Sequence, residues 1–200
     1  MARHERPRTP RQGISRTRVA STAARLMAQD GITDIGLAKK KAARLLGLPE
    51  STTLPDNNEV EAELRLYQAL YQSETQPAKL RQLREEAARI MEILADFRPY
   101  LTGAVLEGTA GTFSAIDLML FADSAKEVEI FLLDQGMDFE HVEPRHEKAE
   151  AALQLFTPRA EFNLLIFPPR MERHTFHHRD GRPRERARLD TVKQLLAHTP

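Results

Sequence analysis

The chain contains no cysteine. It therefore has no disulfide framework, no thiolate nucleophile, and no zinc or iron–sulfur site built on cysteine. No apolar run approaches the roughly 20 residues that a membrane-spanning helix needs. The first residues include no apolar segment of the kind found in secretory signals. From these absences we expect a soluble, cytoplasmic protein.

The composition is that of a globular protein. The chain has 200 residues, of which 41% are hydrophobic and 29% are charged. This excludes collagen-like, mucin-like and wholly disordered chains. The length fits one medium-sized domain, or a small domain with a helical extension.

The formal net charge of zero hides an uneven distribution. Residues 1–50 hold 11 Lys and Arg against 4 Asp and Glu, and residues 51–166 hold 10 against 21. The last segment, 167–200, holds 8 against 4. Such blocks are typical of basic segments that bind nucleic acid or nucleotide, and equally of basic termini that cover an acidic middle. Both interpretations stay open at this point.

The first half of the chain predicts helices. Residues 1–14 are basic and almost free of apolar side chains, which predicts a disordered arm. Residues 15–97 show apolar positions at helical spacing, with capping residues before them and Gly or Pro after them. The predicted helices cover 15–29, 37–46, 57–72 and 77–96.

The second half, 98–200, predicts strands mixed with helices, so the fold class is α+β. A serine at 124 caps one predicted helix, and the stretch 168–188 is a basic loop. The predicted strands are 101–106, 116–121, 139–142, 151–156 and 161–167, and the predicted helices are 125–135 and 189–197.

The informative motif lies around a glycine-rich turn. Gly103-Ala104 is followed by Gly108 and Gly111, and then by Ser114-Ala115-Ile116-Asp117-Leu118. Small residues let backbone N–H groups approach a triphosphate, and carboxylates on the next strand bind divalent metal ions. Nucleotidyl transfer needs that combination.

Over residues 99–167 this pattern resembles the nucleotidyltransferase superfamily in its minimal, polymerase-beta-like form. The resemblance implies that 98–200 is a nucleotidyltransferase-like domain with a small mixed sheet. It implies that Asp117 is catalytic and binds Mg²⁺, and that Gly103, Ala104 and Ser114 bind the nucleoside triphosphate. The resemblance leaves the acceptor open between a nucleic acid such as an RNA end, a protein hydroxyl and a small molecule.

The chain departs from the family pattern at three positions. The serine of the family's Gly-Ser pair falls on Ala104, and the first metal-binding Asp falls on Ala115. The third carboxylate falls on Asn163, so that Glu161, two residues away on the same strand face, is the candidate second ligand. Mg²⁺ prefers octahedral oxygen coordination, which a single carboxylate supplies poorly.

Three functions therefore remain as hypotheses. The first is a Mg²⁺-dependent nucleotidyltransferase, with Arg170 of the basic loop on the triphosphate. The second is a catalytically silent binding module with the same fold. The third is a DNA-binding regulator, because the first two predicted helices resemble a helix-turn-helix with Lys39–Lys41 and Arg44 on the second.

Overall fold

The computed structural model describes residues 10–144, 146–178 and 181–198, with side chains from residue 16 onward. The chain divides into two compact units, Met1–Ser73 and Glu74–Pro200. Of the helices in the described ranges, none is both long and apolar enough to cross a membrane.

The first unit is built from three helices. They are α1 (Pro10–Asp30), α2 (Ile35–Leu45) and α3 (Asn57–Tyr71), and α1 contacts the other two. Its buried core consists mostly of alanine and valine, which let helix backbones approach closely, and includes Val19, Ala23, Ala38, Ala42 and Val60.

Capping residues fix where two of these helices begin. The Asp34 carboxylate accepts a hydrogen bond from the Leu37 backbone N–H at 2.7 Å. Asp56 and Glu59 form a reciprocal capping box at the start of α3. Each cap satisfies backbone donors that the first turn of a helix leaves open.

The predicted arm, 1–14, differs in part from the structure. Residues 1–9 lie outside the described residues, whereas 10–14 belong to α1. Pro10 is the first residue of this helix, a position where the missing N–H of proline costs no hydrogen bond.

The second unit begins with a long helix, α4 (Thr75–Ile93). The elements that follow are β1 (Tyr100–Thr102), α5 (Ala104–Glu107), β2 (Ile116–Phe121), α6 (Ala125–Asp134), β3 (Phe139–Val142), β4 (Ala151–Phe156), β5 (Glu161–Phe167), β6 (Arg186–Ala187) and α7 (Leu189–His198). The six strands form one mixed sheet in the order β3-β4-β5-β2-β1-β6. Of the described strand pairs, only β2–β5 is parallel. The predicted α+β class, with helices before a mixed sheet, is confirmed.

The two faces of this sheet have different neighbours. On one face, Leu118 of β2 and Leu164 of β5 share a core with α4, α6 and α7. On the other face lies a smaller aromatic cluster of Tyr100, Phe121, Phe167 and Phe176, with Met119. Because side chains alternate along a strand, the odd-numbered residues of β2 and β5 lie on this second face.

The boundary between the units lies earlier than the 97/98 boundary that the sequence predicted. Leu83, Ala87 and Ile90 of α4 are fully or almost fully buried in the core of the sheet. Because this helix buries its apolar stripe against the strands, the division falls between Ser73 and Glu74.

The predicted strand 101–106 is wrong beyond Thr102. Gly103 has a φ of 71°, and the chain then enters the single turn of α5, in which Glu107 N–H donates to the Gly103 carbonyl at 2.9 Å. The apolar run Val105-Leu106 is equally compatible with a strand and with a buried helical turn, so that periodicity alone did not separate them.

Candidate functional site

A row of polar side chains crosses the aromatic face of the sheet near the start of β2. Asp117 lies directly opposite Thr102 on β1 and Asn163 on β5. Asn163 in turn lies opposite Gln154 on β4, and Thr102 opposite Arg186 on β6. Residues directly opposite one another share a face, so five strands contribute to this row.

The Asp117 carboxylate is held by its neighbour on β5. Asn163 Nδ2 donates to Asp117 Oδ1 at 2.8 Å. An ionised carboxylate oxygen only accepts hydrogen bonds, so the amide N–H of Asn163, and not its oxygen, faces Asp117. Asn163 therefore positions the carboxylate and presents no oxygen to a cation at that point.

The glycine turn approaches the same carboxylate from β1. Gly103 adopts φ 71° and ψ −156°, a region that other residues almost never occupy. A Cβ placed on Gly103 would overlap Asp117 Oδ2. The absence of a side chain at 103 thus lets the backbone and the carboxylate come together, whereas the sequence predicted an approach of this backbone to a triphosphate.

Two side chains of α4 hold the turn and α5 in place. Gln76 Nε2 donates to the carbonyls of Gly108 and Ala110 at 3.1 and 2.9 Å. Arg84 donates to the carbonyls of Val105 and Leu106 at 3.1 and 3.3 Å. Burial lowers the pKa of the Arg84 guanidinium. These bonds satisfy the carbonyls at the end of the short helix.

The other predicted site residues are Ser114 and Ala104, near the glycine turn, and Glu161 on β5. Ser114 Oγ accepts a hydrogen bond from the Gly111 N–H at 3.0 Å, which closes the turn before β2. Ala104 is the first residue of α5 and contributes no hydroxyl. Glu161 is exposed on β5, where one of its oxygens lies 3.5 Å from Gln154 Nε2.

These residues do not fit a pair of Mg²⁺ ions. Ala115 has no ligand atom, and the Asn163 amide directs its N–H groups at Asp117. Within the described ranges, no group of three or more His, Asp or Glu side chains has an arrangement that holds a metal ion. Asp117 and Glu161 together supply too few hard oxygen ligands for octahedral coordination.

Arg170 lies away from the other predicted site residues. It follows the end of β5 at Phe167, whereas Asn163 and Asp117 lie near the starts of their strands. With about 3.3 Å per residue along a strand, Arg170 belongs to the opposite end of the sheet. The structure therefore groups Asp117, Gly103 and Ala104 with Asn163, but not with Arg170.

Other arginines of the basic loop reach the site face instead. Arg186 lies opposite Thr102, and its guanidinium carbon is 4.6 Å from the centre of the Tyr100 ring. Arg184 precedes it by two residues, and its backbone N–H donates to the Phe176 carbonyl at 2.8 Å. The sequence analysis did not separate these arginines from the rest of the loop. Their regular spacing of two is the signal that would have done so, because it places side chains on one side of an extended chain.

Two of the three lysines that the sequence analysis placed on a DNA-facing helix contact other residues of the first unit. Lys39 Nζ donates to the Pro55 carbonyl at 3.1 Å and to Asn57 Oδ1 at 2.8 Å. Lys41 forms an ion pair with Asp30 at 3.3 Å. These contacts join α2 to the segments before and after it, so Lys39 has a structural role within the unit.

Comparison with known proteins adds no assignment. No protein-family model matches the chain, and no curated protein matches it significantly.

Proposed function

We propose that this chain is a nucleotidyltransferase-like binding module that takes up a nucleoside triphosphate without a divalent metal and does not transfer the nucleotide. The observation that carries the proposal is the hydrogen bond from Asn163 Nδ2 to Asp117 Oδ1. It puts a donor where the resemblance implies a metal-binding carboxylate.

The order of helices and strands supports the part of the proposal that concerns the fold. A strand runs into a glycine turn, a short helix follows, and the next strand carries Asp117 and pairs in parallel with the strand of Asn163. For residues 99–167 the resemblance implied the order strand, turn, strand, helix and further strands, without the short helix α5.

The residues at the family's metal-binding positions support the absence of nucleotide transfer. In a metal-dependent transferase, the metal neutralises charge that develops on the phosphates. Here two of the three family carboxylate positions hold Ala115 and Asn163. Asp117 keeps the one carboxylate of these three positions, and its negative charge disfavours a polyphosphate beside it when no metal lies between them.

The charge of Asp117 gives a test in which the two functions predict opposite signs. Asp117→Asn keeps the shape of the side chain and a hydrogen-bond acceptor for Asn163. We expect ATP to bind the variant more tightly than the wild type in EDTA, because a repulsive charge is removed. A metal-dependent enzyme would instead lose Mg²⁺-dependent binding. Isothermal titration of ATP, with EDTA and with Mg²⁺, measures both.

A matched pair of variants tests the metal deficit directly. Ala115→Asp combined with Asn163→Asp restores the family's carboxylates, and we expect ATP binding by this variant to become dependent on Mg²⁺. Ala115→Asn in the otherwise unchanged chain adds similar volume without charge and is the control. Mg²⁺-dependent ATP binding by the wild type, or transfer of label from α-labelled nucleotides, would contradict the proposal.

A further inference from the structure

Basic side chains gather around Phe176 on the aromatic face of the sheet. The rings of His146 and His174 lie 5.4 and 5.5 Å from the Phe176 ring, and the Arg186 guanidinium carbon lies 5.6 Å from it. Lys148 Nζ is 3.1 Å from His174 Nε2. Phe176 thus forms the floor of a patch that is rich in positive charge.

The fifth member of the patch is Arg184. Its backbone is bonded to the Phe176 carbonyl, which places it beside the same ring. Burial lowers the pKa of His146, and the positive charges of Arg184 and Lys148 lower it further. The side chains of these groups therefore lie close enough to repel one another.

Of the described carboxylates near these groups, that of Glu172 is directed at other partners. Glu172 directs its carboxylate to Arg98, Arg188 and the Tyr100 hydroxyl, all at about 3 Å. Only its backbone carbonyl accepts from Arg186 Nη2. Glu147 acts on His146 in the opposite direction to Arg184, as a single negative charge among several positive ones.

Two guanidinium nitrogens in this patch have no acceptor. Arg184 Nε and Arg186 Nη1 are buried and find no hydrogen-bond partner among the residues that the structure describes. A buried N–H without an acceptor is costly, more so on a charged group. The aromatic rings beside Arg186 stabilise its charge but do not accept this hydrogen bond at its usual strength. An anion with several oxygens would satisfy both groups.

We propose that Arg184 and Arg186 bind the polyphosphate of the ligand in place of a metal ion. The inference rests on the proposed function and names the residues that neutralise its ligand. Phosphate oxygens match the planar fork of a guanidinium. Arg186 is separated from Asp117 by β1 alone, about 10 Å across two strand spacings, which a triphosphate can bridge.

The test uses tripolyphosphate and ATP as probes in EDTA, titrated into the full chain by calorimetry. We expect the wild type to bind both, and adenosine, which has no phosphate, not to compete with tripolyphosphate. Arg184→Gln removes charge-assisted hydrogen bonds and should weaken tripolyphosphate binding about tenfold or more. Arg173→Gln, an exposed arginine of the same basic loop, is the control and should leave the affinity unchanged.

A second measurement guards against a variant that fails to fold. Tripolyphosphate should shift the ring resonances of His146 and His174 in the wild-type chain, and leave those of the exposed His141 in place. Arg184→Lys, which keeps the charge but loses the planar fork, should recover only part of the affinity.

The outcomes separate this inference from the proposed function. ATP binding in EDTA that is unchanged by Arg184→Gln overturns the inference and leaves the metal-independent module standing. ATP binding that requires Mg²⁺ overturns the proposed function, whereas tripolyphosphate binding that depends on Arg184 would still support the patch. No binding of tripolyphosphate, or equal losses in Arg184→Gln and Arg173→Gln, overturns the inference.

Discussion

Replacement of Gly103 by alanine tests how the turn and the Asp117 carboxylate depend on each other. At φ 71° and ψ −156°, a residue with a side chain pays about 1–3 kcal/mol in backbone strain. The new methyl group would also overlap Asp117 Oδ2, so the carboxylate must move away from Asn163. Losing that charged hydrogen bond adds about 1.5–3 kcal/mol. We expect a total loss of about 2.5–6 kcal/mol in the stability of the sheet.

The loss of stability caused by Gly103→Ala should be measured in the sheet itself. The chain has two compact units, so a single unfolding transition is not a safe basis for a free energy. Hydrogen exchange of peptides that cover β1 and β2, in increasing urea, reports the opening of this sheet. Gly136→Ala is the matched control. Gly136 has a φ of 65°, but nothing lies within 4 Å of a Cβ placed there, so only a backbone cost of about 1–2 kcal/mol is expected.

A double-mutant cycle separates backbone strain from the contact. In an Asp117→Ala background the carboxylate is absent, so Gly103→Ala should cost only the backbone part, about 1–3 kcal/mol. The argument for a close approach at Gly103 fails if the substitution costs no more than Gly136→Ala. It fails as well if the cost is the same with and without the Asp117 carboxylate.

Three further predictions concern groups away from this turn. Arg89→Ala leaves the Glu86 carboxylate, only 2% exposed, with one partner fewer and should destabilise the sheet unit by about 1–3 kcal/mol in urea unfolding. The hydrogen bond from Arg89 lowers the pKa of the Glu86 carboxyl group. The ionised Glu86 therefore contributes its full stability above the unfolded pKa of about 4.3, and this stability is lost as the pH falls through the lower, folded pKa. Glu86→Gln should remove this pH dependence of stability. Burial lowers the pKa of His146, so the unfolded state binds more protons than the folded state as the pH drops below about 6.5, and the stability of the fold should decrease. Thermal unfolding of the His146→Phe variant should not show this decrease. The control variant His177→Gln, at an exposed histidine, should still show it. Asp56→Ala removes the capping box of α3 and should cost about 1 kcal/mol, seen as faster hydrogen exchange in its first turn, and unchanged exchange there would contradict the role of the cap.

The sequence was informative where local signals and burial agreed. β2 runs from Ile116 to Phe121 as predicted, because its apolar run is short, bounded by a glycine turn and followed by a capping serine. Ser124 accepts from the Glu127 N–H at 3.3 Å, as expected for the start of α6. Strands β4 and β5 were likewise predicted over the residues that the structure shows.

Long-range contacts explain where the sequence reasoning was wrong. The turn of α5 is stabilised by the Arg84 side chain on α4, which no pattern within residues 101–106 records. The same helix shifted the boundary between the units, because its partner strands come later in the chain.

The candidate site could be predicted only in part. The glycine turn was noted from its composition, and Asp117 and Asn163 were named from the family resemblance. Arg170 was chosen from a loop with many arginines, and only the pairing of Arg186 with Thr102 singles out the side chains on the site face. Strand register of this kind depends on tertiary packing and is not encoded locally.

The parallel pairing of β2 with β5 has a consequence for biogenesis. Asp117 and Asn163 meet across 46 residues of chain, since parallel strands cannot be joined by a tight turn. Closing so long a segment is entropically expensive, so this pairing should form late along the folding route. During synthesis, a nascent chain must expose β5 beyond the ribosome before Asp117 and Asn163 can pair, and until then only elements that precede β5 can cover the apolar strand β2.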